Sequence, residues 1–175
     1  MIKTAVIHPG YSHKFLSMKK RILIGRYDEA DFPELQLEKI EVKTDSGAFT
    51  SSFHCHNIEL IDVKGEKKLH CNFLDPDHAQ YHNKEFIFDR FTKKRIRSSN
   101  GQIEERYCVE TYIRLFNQNF PIELTLSERG QMKFPVLLGR KFLSRRFVVD
   151  SSKTKLSAKN EVWTLMLKKQ QNEKS

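Results

Sequence analysis

Short runs in which apolar and polar residues alternate, each cut off by Gly, Pro, Asn or Asp before a helix could complete several turns, constrain this chain more than any other feature. A period of two places successive side chains on opposite faces of a strand. Residues 35–42 (LQLEKIEV) and 120–126 (FPIELTL) alternate in this way, and residues 134–138 (FPVLL) form a continuous apolar run suited to a buried strand. Regular structure is expected to begin at Arg21 with RILIGR. Residues 54–63 and 67–74 read as a strand pair turned at Lys64-Gly65-Glu66, and residues 75–85 as a loop opened by Asp75-Pro76-Asp77. Further strands are expected at 85–91 and 93–99, and again at 103–116. Asn100-Gly101 between the last two is a strong hairpin signal, because both residues tolerate positive φ. KFLSRR (141–146) reads as one short helix, FVVD (147–150) as a strand and EVWTLML (161–167) as a last strand. With no long amphipathic pattern and no repeat, the expected class is mainly β.

The chain has 175 residues, of which 38% are hydrophobic, enough for the core of one domain. The expected organisation is a flexible arm at 1–20, a single domain at 21–167 and a disordered tail at 168–175. Lys and Arg exceed Asp and Glu, for a net charge of +9. Charge of that size points to an anionic partner and says nothing about fold. No apolar run approaches the roughly 18 residues a membrane-spanning helix needs, so no membrane role is expected. The apolar run before His8-Pro9-Gly10 is too short for a signal-peptide core. Cys55, Cys71 and Cys108 are odd in number and irregularly spaced, which argues against a disulfide framework and for a reducing, cytoplasmic setting.

Several chemistries lack their motifs. GxxxxGK[ST], GxGxxG after a strand, HExxH and GxSxG are all missing, so nucleotide, zincin and serine-elbow hydrolysis have no support. The sharpest positive feature is Asp45-Ser46-Gly47, which follows the alternating strand through Thr44 and is itself followed by Ala48. Gly allows a tight turn that exposes the carboxylate while backbone N–H groups bond to it, and the Ser hydroxyl can tie down the loop. Alone, Asp-Ser-Gly is also ordinary turn composition. Downstream, the buried run ends at Leu138-Gly139-Arg140, just before the expected helix.

A D-[TS]-G loop, then a hairpin region, then a hydrophobic pair and Gly, in that order, resembles the retropepsin-like aspartic peptidases. In that fold a strand passes behind the catalytic loop, and its Gly avoids a clash. KTDSGAFTSSFH, RSSNGQIEERY, PIELTLSER and LLGRKFL together resemble one bacterial family, once labelled an ATP-dependent zinc protease. These RimB-type proteins are associated with RimK-type ATP-grasp glutamate ligases. The resemblance covers roughly residues 22–150. It implies a closed β-barrel with one short helix after the LLGR strand, no cofactor, and Asp45 as the catalytic residue supported by Thr44, Ser46, Gly47 and Ala48. Leu138, Gly139 and Arg140 would lie behind that loop. The chain departs from the family pattern at Ser46, where Thr is usual, and at Phe49, where Arg is usual.

An aspartic peptidase uses two carboxylates that share one proton, one activating water and the other protonating the carbonyl oxygen. Only one such motif is present. Asp150-Ser151-Ser152 lacks the Gly and is expected to be structural, so Asp45 would have to meet Asp45 of a second copy in a symmetric homodimer. The hairpin carrying Arg95, Arg97, Ser98, Ser99, Asn100 and Gly101 falls where retropepsins carry a substrate-covering flap. It reads equally well as a plain surface hairpin, and the 75–85 loop is a rival lid. Basic residues near the site (Arg95, Arg97 and Arg140) suit an acidic, Glu-rich peptide, and the family association adds glutamate tails as substrate.

Two other functional classes remain open. A basic module binding acidic protein or nucleic acid would use Lys19-Lys20-Arg21, Lys93 to Arg97, Arg140-Lys141 and Arg145-Arg146, with Phe88, Phe91 and Phe142 as stacking platforms. A zinc-dependent hydrolase would draw on His54, Cys55, His56, His70, Cys71, His78 and His82, where seven of the ten His and Cys residues crowd together. Alternation puts Cys55 on the face opposite His54 and His56, and no CxxC framework repeats, so no metal site is expected. Cys108, in an alternating strand, is expected in the core.

Overall fold

The computed structural model describes residues 21–97, 101–128 and 133–160. The expected N-terminal arm, the last strand at 161–167, the tail, and Ser98, Ser99 and Asn100 lie outside the described residues. The strands are β1 (Ile22–Gly25), β2 (Tyr27–Phe32), β3 (Leu37–Thr44), β4 (Ser51–Val63), β5 (Glu66–Phe73), β6 (Glu85–Phe88), β7 (Thr92–Arg97), β8 (Ile103–Leu115), β9 (Gln118–Ser127), β10 (Val136–Leu138) and β11 (Phe147–Asp150). A 3-10 turn (Pro33–Leu35) precedes β3, so that strand starts two residues later than its alternation suggests. The short helix α1 (Arg140–Leu143) directly follows β10, and residues 156–160 are also helical. Among the described residues no helix is long and apolar enough to cross a membrane.

Six strands close into a ring in the order β10-β3-β2-β8-β9-β4, with β4 pairing back onto β10. The chain is therefore mainly β, built around a closed ring of strands. The far half of β4 leaves the ring and carries β5 and β6 as an antiparallel extension. Its turn, Lys64-Gly65, has positive φ at both residues (56° and 84°), which matches the right-handed twist of a two-residue hairpin. Among the described residues β7 pairs only with β8, from Thr92 opposite Cys108 to Arg97 opposite Ile103, whereas β9 pairs with β8 only from Cys108 onward. The β7–β8 hairpin thus projects beyond the ring. β1 and β11 form a separate parallel pair.

The core runs through a line of phenylalanines. Ring centroids of Phe32 and Phe53 lie 4.9 Å apart, Phe53 and Phe73 4.7 Å, and Phe73 and Phe86 5.0 Å, which links the ring to its β5–β6 extension. Cys55, Cys71 and Cys108 are buried free thiols. Burial, chiefly, pushes the Cys108 thiol up to about 11.

Candidate active site

The local sequence makes Asp45 an end point. Val42 is buried, Lys43 is exposed and Thr44 is half-buried, as alternation requires. The Thr44 amide donates to Arg26 O at 3.0 Å, and its hydroxyl reaches Arg26 O at 3.1 Å and Gly25 O at 3.3 Å. β10 lies between β3 and β4, parallel to the first and antiparallel to the second, so the β3–β4 connection must cross its end. That connection is the Asp45 loop. The Asp45 amide donates to Leu138 O at 2.9 Å, carrying the ladder one residue past β3.

Within the loop the Asp45 carboxylate is cradled from its own chain. Oδ1 accepts the Gly47 amide at 3.0 Å and the Ala48 amide at 3.1 Å. A Cβ on Gly47 would lie 3.2 Å from that oxygen. Gly139 passes directly beneath the loop, where a Cβ would stand 2.5 Å from the Thr50 carbonyl and 2.8 Å from Phe49 O. The loop is then stitched down by Arg140 N to Ala48 O and Lys141 N to Phe49 O, both 2.9 Å, and by Gly139 N to the Ser51 hydroxyl at 3.0 Å. The result is a half-exposed carboxylate held in one orientation by main-chain donors. A single carboxylate so placed can take or give one proton; activating water and protonating a carbonyl together need a second.

Thr44 to Ala48 and Leu138 to Arg140 therefore come together as one unit. Arg140 behaves differently from an entrance cation. Its guanidinium donates to Ser46 O at 3.0 Å and Gly47 O at 3.1 Å, so it clamps the loop. Ser51 was not expected at the site, although a second hydroxyl-rich stretch, Thr50-Ser51-Ser52, stands just beyond the motif in the sequence. Arg95 and Arg97 are exposed on the projecting hairpin, and Gly101 has a φ of 84° at its tip.

The loop at 74–84 is fastened elsewhere. Gln80 Nε2 donates to Glu38 O at 2.7 Å and to Lys39 O at 3.3 Å. Those residues begin β3, about 20 Å along the strand from Asp45, so this loop is no lid over the carboxylate. The histidines hold it in place. His54 Nε2 lies 2.7 Å from Asp75 Oδ1, and His56 Nδ1 lies 2.8 Å from Leu74 O. His78 and His82 each accept a main-chain N–H two residues on, and His70 stands between Glu59 and Glu85. Among the described residues no three His, Cys, Asp or Glu side chains converge as a metal's donor set would. Asp150 closes its own turn, accepting the Ser152 hydroxyl at 2.6 Å and the Ser152 amide at 3.0 Å. Those bonds, with Lys153, hold its carboxyl below the ordinary aspartate value.

Residues 23–160 match the family model "RimB-like: Retropepsin-like aspartic endopeptidase RimB". Proteins named probable alpha-L-glutamate ligase match too. The one from Shewanella halifaxensis is 33% identical over 77% of this chain and 29% of its own length. That from Desulfotalea psychrophila is 34% identical over 73% of this chain and 28% of its own. The chain thus spans under a third of these curated relatives. A solved Legionella pneumophila protein of unknown function shares the fold, with a TM-score of 0.62 at 24% identity over 79% of this chain and 99% of that one. Asp45-Ser46-Gly47 crossing over Gly139, in a ring closed by β10, accompanies that match over most of the sequence, and the chain belongs to the RimB-like family of retropepsin-like aspartic endopeptidases.

Proposed function

We propose that this chain is an aspartic endopeptidase whose active form is a homodimer, with Asp45 of each copy sharing a proton and holding the attacking water, and whose substrate is a glutamate-rich peptide or glutamate tail. The observation that carries the reading is the Asp45 carboxylate fixed by the Gly47 and Ala48 amides above Gly139. One carboxylate acts as base toward water while the other, protonated, polarises the scissile carbonyl. The sequence has a single Asp-Ser-Gly motif, so the second carboxylate would come from another copy. An apolar surface suited to such a partner is present on one face of the β1–β11 pair, where Leu23 and Val148, paired in register, are 40% and 47% exposed. The projecting β7–β8 hairpin, with Arg95, Arg97 and Gly101, would serve as the flap. The names of the ligase relatives support glutamate as the substrate's chemistry.

The test compares the chain with Asp45→Asn on an oligoglutamate peptide, following cleavage by mass spectrometry and assembly by analytical ultracentrifugation. The reading expects cleavage by a dimer and none by the variant, with fold and assembly retained. Cleavage that persists in Asp45→Asn, or that Asp150→Asn alone abolishes, would overturn it. So would chelator-sensitive cleavage accompanied by stoichiometric metal.

A further inference from the structure

β3 places Lys43 two residues before Asp45, on the same face of the strand and about 7 Å away along it. Across the sheet Lys43 sits in register with Tyr27 on β2 and Leu137 on β10. The Tyr27 ring packs against Phe134, with centroids 5.5 Å apart. Three cations crowd this aromatic pair. Lys43 Nζ and Lys133 Nζ each lie 5.8 Å from the centre of the Phe134 ring, and the Arg26 guanidinium lies 5.8 Å from that of Tyr27. All three basic residues are exposed. Among the described residues none of them forms an ion pair with a carboxylate, whereas Lys68, Lys94, Lys141, Lys153 and Lys155 do. Arg26 is tied to the site through its own carbonyl, which accepts from Thr44.

We propose that Arg26, Lys43 and Lys133, gathered on Tyr27 and Phe134 beside Asp45, form a subsite that binds the side-chain carboxylate of an acidic peptide residue flanking the scissile bond. This deepens the peptidase reading and rests on it. Like charges hold their flexible heads near one another only at a cost. The electron-rich ring faces offset part of that cost, and a bound carboxylate offsets the rest through charge-assisted hydrogen bonds. The same faces, already covered by the protein's own cations, are not open for nucleobase stacking. That favours an acidic peptide over single-stranded nucleic acid. Leu137, beside Lys43, supplies an apolar wall for the methylene groups that separate a glutamate carboxylate from its main chain.

The test measures binding apart from cleavage. Fluorescein-labelled hexaglutamate is titrated with the full chain carrying Asp45→Asn, by anisotropy, at an ionic strength of about 0.1 M. Adding Arg26→Gln, Lys43→Gln and Lys133→Gln should weaken binding at least tenfold. A control with Lys64→Gln, Lys67→Gln and Lys159→Gln, exposed residues carrying the same total charge, should weaken it less than about threefold. Hexaglutamine should not compete. Equal losses in the two triple variants, equal competition by hexaglutamine, tighter binding of an oligonucleotide of the same charge, or no binding at all would each overturn the subsite. Failure of the peptidase reading shows separately, as site-dependent binding by a chain that cleaves nothing when Asp45 is intact.

Discussion

Replacing Gly139 with Ala tests whether the Asp45 loop is held by close approach or merely borders β10. The backbone there is extended, with φ −79° and ψ 170°, which any residue adopts, so the whole cost is steric. The new methyl would stand 2.5 Å from Thr50 C and O, and ordinary contact begins near 3.4 Å. The loop must therefore retreat by about 0.9 Å, well outside the range of a good hydrogen bond that starts at 2.9 Å. Two such bonds join the loop to the Arg140 and Lys141 amides. Losing both, at about 1 kcal/mol each, on top of an overpacking cost of about 1–2 kcal/mol, gives a destabilisation of about 3 kcal/mol. Urea unfolding followed by fluorescence reads this directly. Gly65→Ala is the matched control. Its position has open space but a φ of 84°, so only backbone strain, about 1 kcal/mol, should appear. Gly139→Ala should also lower peptide cleavage far more than Gly65→Ala, because the Gly47 and Ala48 amides that orient Asp45 move with the loop. If Gly139→Ala unfolds within about 0.5 kcal/mol of the parent and cleaves as well, the close-packing account of the site is wrong.

Two further outcomes follow from contacts around the same ring. Arg140→Lys should lower kcat about tenfold with KM nearly unchanged, since Nη1 alone donates to both the Ser46 and Gly47 carbonyls and a lysine side chain is one bond too short to place its ammonium there. A rise in KM at constant kcat would instead make Arg140 a substrate contact. Burial pulls the Glu123 carboxyl upward, but Lys94 and Lys141 outweigh it and hold the group below the usual glutamate value. Its stabilising effect is therefore complete above about pH 4.3 and lost as pH falls through the lower folded value. The stability gap between the parent and Glu123→Gln, from urea melts across pH, should be flat near neutrality and shrink in acid. A gap that widens in acid would refute the sign.

Asp45 and Gly139 were legible because each is announced by its own neighbours: a carboxylate ending an alternating run, and a glycine ending a buried one. β2 was not. Its sequence, YDEADF, carries three acids, and Asp28 takes an inward position with no exposure at all. That is tolerable only because its carboxylate accepts the amides of Ser157 and Ala158, at 2.8 and 3.2 Å, from the far end of the domain. Nothing local signals such a partner. The β8–β9 turn is similar. Phe116 and Asn117 both have positive φ, without a glycine to mark the place. Phe116 is held there by its amide's bond to the Ser157 hydroxyl and by its ring against Phe147. The position of the 74–84 loop was likewise set by Gln80 reaching main-chain carbonyls of β3, a contact no pattern within the loop encodes.

Net charge was the least specific signal in the sequence, and the fold sorts it. Lys94 and Lys141 share Glu123, Lys155 meets Glu29, Arg106 meets Glu104, and Arg140 and Arg146 bond to main-chain carbonyls. Phe142, one of the aromatic residues that a nucleic-acid reading would use for stacking, is 3% exposed and packs beneath Arg146. Much of the expected basic surface therefore serves the fold. Salt at physiological strength also screens exposed charges beyond about 8 Å, so a cation helps choose a residue at the scissile bond only if it stands close to Asp45. Lys43 meets that condition by strand geometry alone, and Arg26 and Lys133 join it through the Tyr27–Phe134 pair. The total of +9 can draw any polyanion toward the surface; the proposed preference for carboxylate side chains at the point of cleavage is the part that these three residues would add.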